Sequence, residues 1–219
     1  MTSNQNNAHD NALDSALRNK LSTTTEKGMG RAQAILLAAR GVLAAQGYAG
    51  LTMRRVAQQA GMSLSNVQHY YGSKEQLLEA LLLYTMDEFQ AKMDRIAVAM
   101  AGRPQVERFL STIDMFLDEI TEPVTHAIFF EIWALASRHP FASDLMGKMM
   151  GRERKAVHGL IQGLNPAIPD DAYMERAVLI VAQVEGLMLF RLDRHARPAQ
   201  FESVRASVHK VLLTLATVP

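Results

Sequence analysis

The chain has 219 residues, of which 48% are hydrophobic and 21% charged, and its formal net charge is +1. This composition is typical of a globular protein and excludes a disordered or fibrous chain, while the length suggests one helical body with a small additional module. No apolar run reaches the roughly 18 residues of a membrane-spanning helix, so we expect no membrane partner. The Asn-rich start is unlike a secretory signal, and the absence of cysteine excludes disulfides and fits a cytoplasmic location.

The predicted elements begin with residues 1–26, a polar segment that we expect to form a flexible arm. Apolar residues then recur at helical spacing from Ile35 to Leu43, and Gly47 is a C-cap for the helix that they predict. Two short helices follow, the first after Thr52 and the second after Ser63, both of which are good N-cap residues.

Longer helices fill the rest of the chain. Ser73 and Gln76 form a capping box, in which Gln76 reaches back to the backbone before a fourth helix that runs toward Met100. The later helices are expected over residues 104–122, 123–138, 141–164, 170–194 and 198–217. Since no segment alternates as a strand does, the predicted fold class is all-α, with a three-helix head followed by a larger helical bundle.

Basic residues are concentrated in one part of the sequence. The segment from Lys27 to Lys74 contains six bases and no acid, whereas residues 75–219 contain 15 bases and 19 acids. A basic head on a mildly acidic body indicates a surface that binds phosphates, although chance segregation of charge gives the same pattern.

The two short helices have the pattern of a helix-turn-helix. Gly61 supplies the positive φ that the turn between them needs, and the second helix can lie in a DNA major groove. That helix has no Lys or Arg, so its polar side chains are suited to base edges rather than to phosphates. These side chains are Ser65, Asn66, Gln68 and His69. An ordinary helical hairpin fits the pattern equally well.

The sequence GLTMRRVAQQAGMS at residues 50–63, followed by YYGSKEQL at 70–77, resembles the DNA-binding head of the TetR family of transcriptional regulators. The resemblance covers about residues 30–82 and places a DNA-binding domain at 27–75. It implies phosphate contacts from Thr52 and Lys74 and a base contact from Arg54. The residues that it and the helix-turn-helix pattern assign to DNA are Thr52, Arg54, Ser63, Ser65, Asn66, Gln68, His69, Tyr70, Tyr71 and Lys74.

One position departs from the family pattern. The family often has tyrosine where this chain has Gln68, and glutamine can pair with adenine, so the change alters the expected sequence preference. The resemblance implies a sequence-specific repressor that a small-molecule effector releases from a palindromic operator on double-stranded DNA. The alternative is a helical adaptor that binds another protein and has no affinity for DNA.

By the same resemblance, residues 76–219 bind the effector and form a homodimer through the last two helices. The run from Ala177 to Phe190 is apolar nearly all round, so it needs cover on more than one side. A partner's helices would provide that cover, as would burial of the helix within one subunit. The predicted interface residues are Val181, Val184, Leu187, Met188, Val208 and Leu212.

Methionine and aromatic residues of the body are candidates for the effector site, because such side chains line pockets for apolar or cationic ligands. The candidates are Met86, Phe89, Met93, Phe116, His126, Phe130, Glu131, Trp133 and Met150, although stripes of this kind are also ordinary core. Glu131, among aromatic residues, suits a cationic effector or faces solvent. Residues 131–140 and 184–187 are loosely similar to choline-responsive TetR regulators.

Catalytic patterns are absent from the sequence. It contains no His-Glu-x-x-His and no Glu-x-x-His pair, and its glycines form only fragments of nucleotide-binding loops. We therefore expect neither an enzyme, nor a metal site, nor a cofactor.

Overall fold

A computed structural model describes residues 26–190 and 198–219, and within these ranges the chain is helical and has no β-strand. The described helices are α1 (Glu26–Gly50), α2 (Met53–Gln59), α3 (Leu64–Tyr70), α4 (Lys74–Ala99), α5 (Gln105–Thr121), α6 (Pro123–Ala136), α7 (Pro140–Ile161), α8 (Asp170–Phe190) and α9 (Pro198–Thr217). The predicted all-α fold is confirmed. Residues 1–25 of the predicted arm and the last four residues of the predicted helix 170–194 lie outside the described residues.

The head consists of α1–α3 packed against the first turns of α4. Thr52 Oγ1 accepts a hydrogen bond from the Arg55 N–H, and Ser63 Oγ accepts one from the Asn66 N–H, each at 3.2 Å. Gly61 has a φ of 65° between these two helices, as the predicted turn requires. Local capping therefore determines where both short helices begin.

The first helix bends at Gly47 instead of ending there. Gly47 has a φ of 64° and a ψ of −177°, and one further turn carries α1 on to Gly50. A Cβ built on Gly47 would lie 2.7 Å from Oε1 of Glu131 in α6. Glycine is needed here both for its positive φ and for the close approach of that carboxylate.

Helix α4 joins the head to the body. Ser73 Oγ accepts from the Gln76 N–H at 3.1 Å, and Gln76 Oε1 accepts from the Gly72 N–H at 3.0 Å, one residue earlier than a standard capping box. Leu77 and Leu81 are fully buried near the start of the helix, and Phe89 is buried further along it, in the body.

The body is formed by α5–α9 and the rest of α4, and α8 packs against α5, α7 and α9. One side of α8 is buried in the subunit, through residues such as Tyr173 and Ile180. Its other side leaves Val178 and Leu179 exposed. No helix within the described ranges is long and apolar enough to cross a membrane.

Candidate nucleic-acid interface and internal cavity

Helix α3 presents a polar surface over an apolar base. Val67 is fully buried and Leu64 half-buried, which fixes one side of the helix against the head. The exposed residues are Ser63, Ser65, Asn66, Gln68 and His69. This outer face is polar and has no Lys, Arg, Asp or Glu, so its side chains are suited to hydrogen bonds with base edges in the major groove.

The start of α2 lies beside this surface. Thr52 and Arg54 are both exposed, and among the described residues the Arg54 guanidinium has no hydrogen-bond or ion-pair partner. Arg55 differs, because its Nη1 donates to the Gly50 carbonyl at 3.0 Å and so holds the turn before the helix. Of the two adjacent arginines, Arg54 is therefore the one suited to contact DNA.

Lys74 lies at the N-terminus of α4, against the end of α1. Its ammonium donates to the Tyr48 carbonyl and lies 3.5 Å from the centre of the Tyr48 ring. Burial lowers the pKa of Lys74, while the nearby Glu75 carboxylate acts in the opposite direction. A phosphate would therefore be bound through the remaining ammonium hydrogens, with the amine already held in place.

The two tyrosines before α4 have different surroundings. Tyr71 is half-buried, and its hydroxyl donates to the Ala32 carbonyl at 3.3 Å. Burial, together with the neighbouring Tyr70, raises the pKa of Tyr71 to about 12. The Tyr71 hydroxyl therefore holds α1 inside the head, while the DNA contact predicted for Tyr71 stays a prediction. Tyr70 is half-buried, with its ring edge-on to that of His69.

An internal cavity lies among helices α4–α8 of the body. It is partly open to solvent, and the space between its walls, with the solvent at its mouth counted, is about 490 Å³. Its wall consists of Phe89, Ile113, Phe116, Glu119, Ile120, Thr125, Phe129, Glu153, Val157, Val181, Val184, Glu185 and Met188. Phe89 and Phe116 are the two predicted effector residues that the wall includes. The wall is apolar apart from one threonine and three glutamates.

The other predicted effector residues lie outside the wall of this cavity. Phe130 and Trp133 pack edge to face, with ring centres 5.4 Å apart, and Trp133 also packs on the wall residue Phe129. His126 forms a hydrogen bond through Nε2 with the Met188 carbonyl at 3.1 Å. The residues outside are Met86, Met93, His126, Phe130, Glu131, Trp133 and Met150.

Glu131 joins the body to the head. Its Oε2 accepts a hydrogen bond from the backbone N–H of Tyr48 at 2.7 Å, directly after the bend at Gly47. Neither of the predicted roles, an effector carboxylate or a solvent-facing side chain, describes this contact. Glu131 therefore forms a structural contact with the head, whereas Phe129 of the same helix lines the cavity.

Glu153 of α7 and Glu185 of α8 are the carboxylates that face each other at the cavity. Burial raises the pKa of Glu153 well above its ordinary value, and the adjacent Glu185 carboxylate raises it further. Burial also raises the pKa of Glu185. Glu185 was detectable as an isolated acid in an apolar run, whereas Glu153 stands among bases and resembles a solvated surface.

The cavity wall is bonded directly to the head. Thr125 lines the cavity, and its Oγ1 accepts a hydrogen bond from Nη2 of Arg40 in α1 at 3.3 Å. Arg40 also lies 3.5 Å from Glu88 and 3.8 Å from Glu122, the N-cap of α6. This basic residue of the head therefore belongs to the junction with the body.

Four of the six predicted dimer residues are buried within their own subunit. Val181, Val184 and Met188 line the cavity, and Leu212 is fully buried. Side chains enclosed by their own subunit cannot contact a second copy. Leu187 and Val208 are half-buried, in a shallow groove between α8 and α9.

Known proteins that this chain resembles are transcriptional regulators. Residues 35–81 match the model of the bacterial regulatory proteins of the tetR family. The chain is 30% identical to an uncharacterized HTH-type transcriptional regulator in the dhlA 5′ region of Xanthobacter autotrophicus, over 86% of this chain and 93% of the relative. It is 28% identical to the HTH-type transcriptional regulator BetI of Rhizobium meliloti strain 1021, over 79% and 83% of the two chains.

The fold also matches a solved structure, a transcriptional regulator from Rhodococcus sp. Rha1. The TM-score is 0.69 at 22% identity, with 86% of this chain and 99% of the other covered. The relatives that this chain matches are transcriptional regulators and not enzymes. The chain belongs to the TetR family and is a DNA-binding transcriptional regulator.

Proposed function

We propose that this regulator is a homodimeric repressor that binds a palindromic operator and is released when a small molecule enters the cavity. The observation that carries the proposal is the bond between Arg40 and Thr125, because it connects the cavity wall to the first helix of the head. A change in the shape of the cavity would therefore alter the orientation of the head.

The reading surface would consist of the exposed side chains of α3 with Thr52 and Arg54 of α2. Asn66 and Gln68 are suited to adenine, and Arg54 to guanine. Two heads related by a two-fold axis would address half-sites about 34–36 Å apart, which is one turn of DNA. A palindromic operator follows from that symmetry.

A second copy would cover the exposed side of α8. Met174, Val178, Ala182 and Gly186 are exposed at a spacing of four residues, and Leu189 continues this stripe with 56% of its surface exposed. A Cβ on Gly186 would meet nothing within 4 Å in its own subunit, so the backbone there is open to close approach. An apolar stripe of this length supports a dimer interface on α8, with the groove beside α9 at its edge.

The two contacts between α1 and α6 would transmit the signal. Arg40 contacts the start of α6 at Thr125, and Glu131 further along the helix holds the Tyr48 N–H. An effector that binds better to a state with displaced heads would shift the population away from the DNA-competent state. Repression would then end without any contact between effector and DNA.

Selection of bound duplexes from a random pool, followed by titration of the selected duplex at two salt concentrations, tests the proposal. We expect a palindromic sequence whose affinity falls steeply with salt, because several phosphates are neutralised on binding. Absence of enrichment and of salt dependence would overturn it and favour the adaptor alternative.

A further inference from the structure

The charge of the cavity wall indicates which class of effector it takes, an inference that rests on the proposed role of the cavity. We propose that the effector is an organic cation, whose charged group lies against Glu153 and Glu185 and whose apolar part lies among aromatic rings. The rings in the wall are those of Phe89, Phe116 and Phe129.

Two of the three wall carboxylates have no compensating cation among the described residues. Glu119 forms an ion pair with Lys92 of α4 and so contributes no net charge. Glu153 and Glu185 line the same cavity wall and act on each other electrostatically, and within the described ranges no basic group forms an ion pair with either. The pair is thus the source of negative charge at this cavity.

Apolar surroundings make this pair selective for cations. Two close carboxylates in an apolar wall repel each other, so they retain a proton unless a positive charge replaces it. A bound ammonium group would remove the repulsion and lie near the electron-rich faces of the phenylalanine rings. A neutral molecule of the same shape gains neither interaction, and an anion is repelled.

Cation binding should therefore be linked to pH. The cation binds the ionised pair, so its affinity should rise with pH until the pair has lost its proton. The other charged groups near the pair are the Glu119–Lys92 ion pair and Arg154 of α7, whose charge acts to lower the pKa of Glu153.

The test compares two probes of equal shape on the full chain. Benzyltrimethylammonium carries a positive charge, and neopentylbenzene has a carbon in place of its nitrogen. Binding is followed by the fluorescence of Trp133, the chain's only tryptophan, which packs on the wall residue Phe129. We expect the cation to bind at least about tenfold more tightly than its neutral analogue, and more tightly at pH 8 than at pH 6. Equal affinities would overturn the proposal.

The test variant carries both Glu153→Gln and Glu185→Gln. The control variant carries Asp144→Asn alone. Asp144 is exposed on the same helix as Glu153, so its loss removes a charge without altering the cavity. The double variant should lose the preference for the cation and its pH dependence while still binding the neutral analogue, and the control should retain both. Unchanged cation affinity in the double variant would contradict the assignment.

Operator binding by the same proteins separates the two proposals. A wild-type protein that binds the selected duplex but does not distinguish the two probes refutes the cation class alone. A protein that prefers the cation but binds no duplex refutes the proposed repressor function. Release of the duplex by the cation, and not by its neutral analogue, supports both.

Discussion

Glu131 occupies the space that a side chain at position 47 would need, since its Oε1 lies 2.7 Å from the position of a Cβ on Gly47. The same carboxylate accepts the N–H of the next residue, Tyr48. The position of the Glu131 carboxylate thus depends on the absence of a side chain at Gly47, and the bend of α1 is in turn held by that carboxylate. Substitutions at either residue test the contact.

Replacing Gly47 by alanine should destabilise the protein through two separate effects. The backbone of Gly47, with φ 64° and ψ −177°, is in a region that essentially only glycine adopts, so alanine there costs about 1–3 kcal/mol, and the added Cβ would also displace the Glu131 carboxylate. Gly102→Ala is the control, because Gly102 has a φ of 81° but nothing within 4 Å of its Cβ position. Urea unfolding should show a larger loss for Gly47→Ala, and equal losses would mean that the close approach is unimportant.

Removal of the Glu131 carboxylate should weaken the junction between head and body. Glu131→Ala leaves the Tyr48 N–H without its acceptor, at a cost of about 1 kcal/mol, while Glu131→Gln keeps a neutral acceptor and should lose less. Hydrogen exchange at the Tyr48 amide should accelerate in the order wild type, glutamine, alanine. No change in exchange would show that the contact does not hold the head.

Arg54→Ala should weaken operator binding by about 1–3 kcal/mol and relax sequence preference at one base pair. Fluorescence anisotropy with the selected duplex measures both effects. The control is Arg95→Ala, which removes an exposed arginine of α4 outside the head. Equal losses in the two variants would indicate that only the overall charge matters.

The free energy of unfolding should fall as pH rises above about 4.5, the ordinary value for glutamate. The folded protein keeps a proton on the Glu153–Glu185 pair that the unfolded chain has lost, so the slope is at most about 1.4 kcal/mol per pH unit. Glu153→Gln should reduce this slope. Glu75 and Glu122 have lowered pKa values and act in the opposite sense below pH 4.5. An identical slope in the variant would contradict the assignment.

Val178→Glu should weaken the dimer at least about 100-fold, because a charge without a partner would be buried in the apolar interface. Operator affinity should fall with it. Val98→Glu is the control, since Val98 of α4 is 77% exposed and lies outside the proposed interface. Sedimentation equilibrium measures both variants, and a dimer unaffected by Val178→Glu would place the interface elsewhere.

The sequence predicted the head more accurately than the body for a physical reason. Capping residues such as Thr52 and Ser63 and the turn at Gly61 act on their immediate neighbours, so their effect is readable locally. The contact of Tyr71 with the Ala32 carbonyl was not predicted, because the two residues are 39 positions apart in the chain. Contacts of that range leave no pattern in a single sequence.

The side of α8 that faces inward was not predictable, because the helix is apolar on nearly every side. Such a helix has no polar stripe to distinguish the core side from the partner side. Val181 and Val184 were therefore assigned to the interface although they line the cavity, while the exposed Val178 was missed. The pairing of Glu153 with Glu185 depends on how α7 packs on α8, which the sequence does not encode locally.

Because α4 is one uninterrupted helix, it is also a rigid lever between the cavity and the operator. The distance from Phe89 in the cavity wall to Lys74 at the edge of the head is about 22 Å along the helix axis. A tilt of about 5° at Phe89 would move Lys74 by about 2 Å, enough to break a hydrogen bond to a phosphate. In a dimer both levers would move, and the change in spacing between the heads would double. A molecule only slightly too large for the cavity would then be enough to release the protein from its operator.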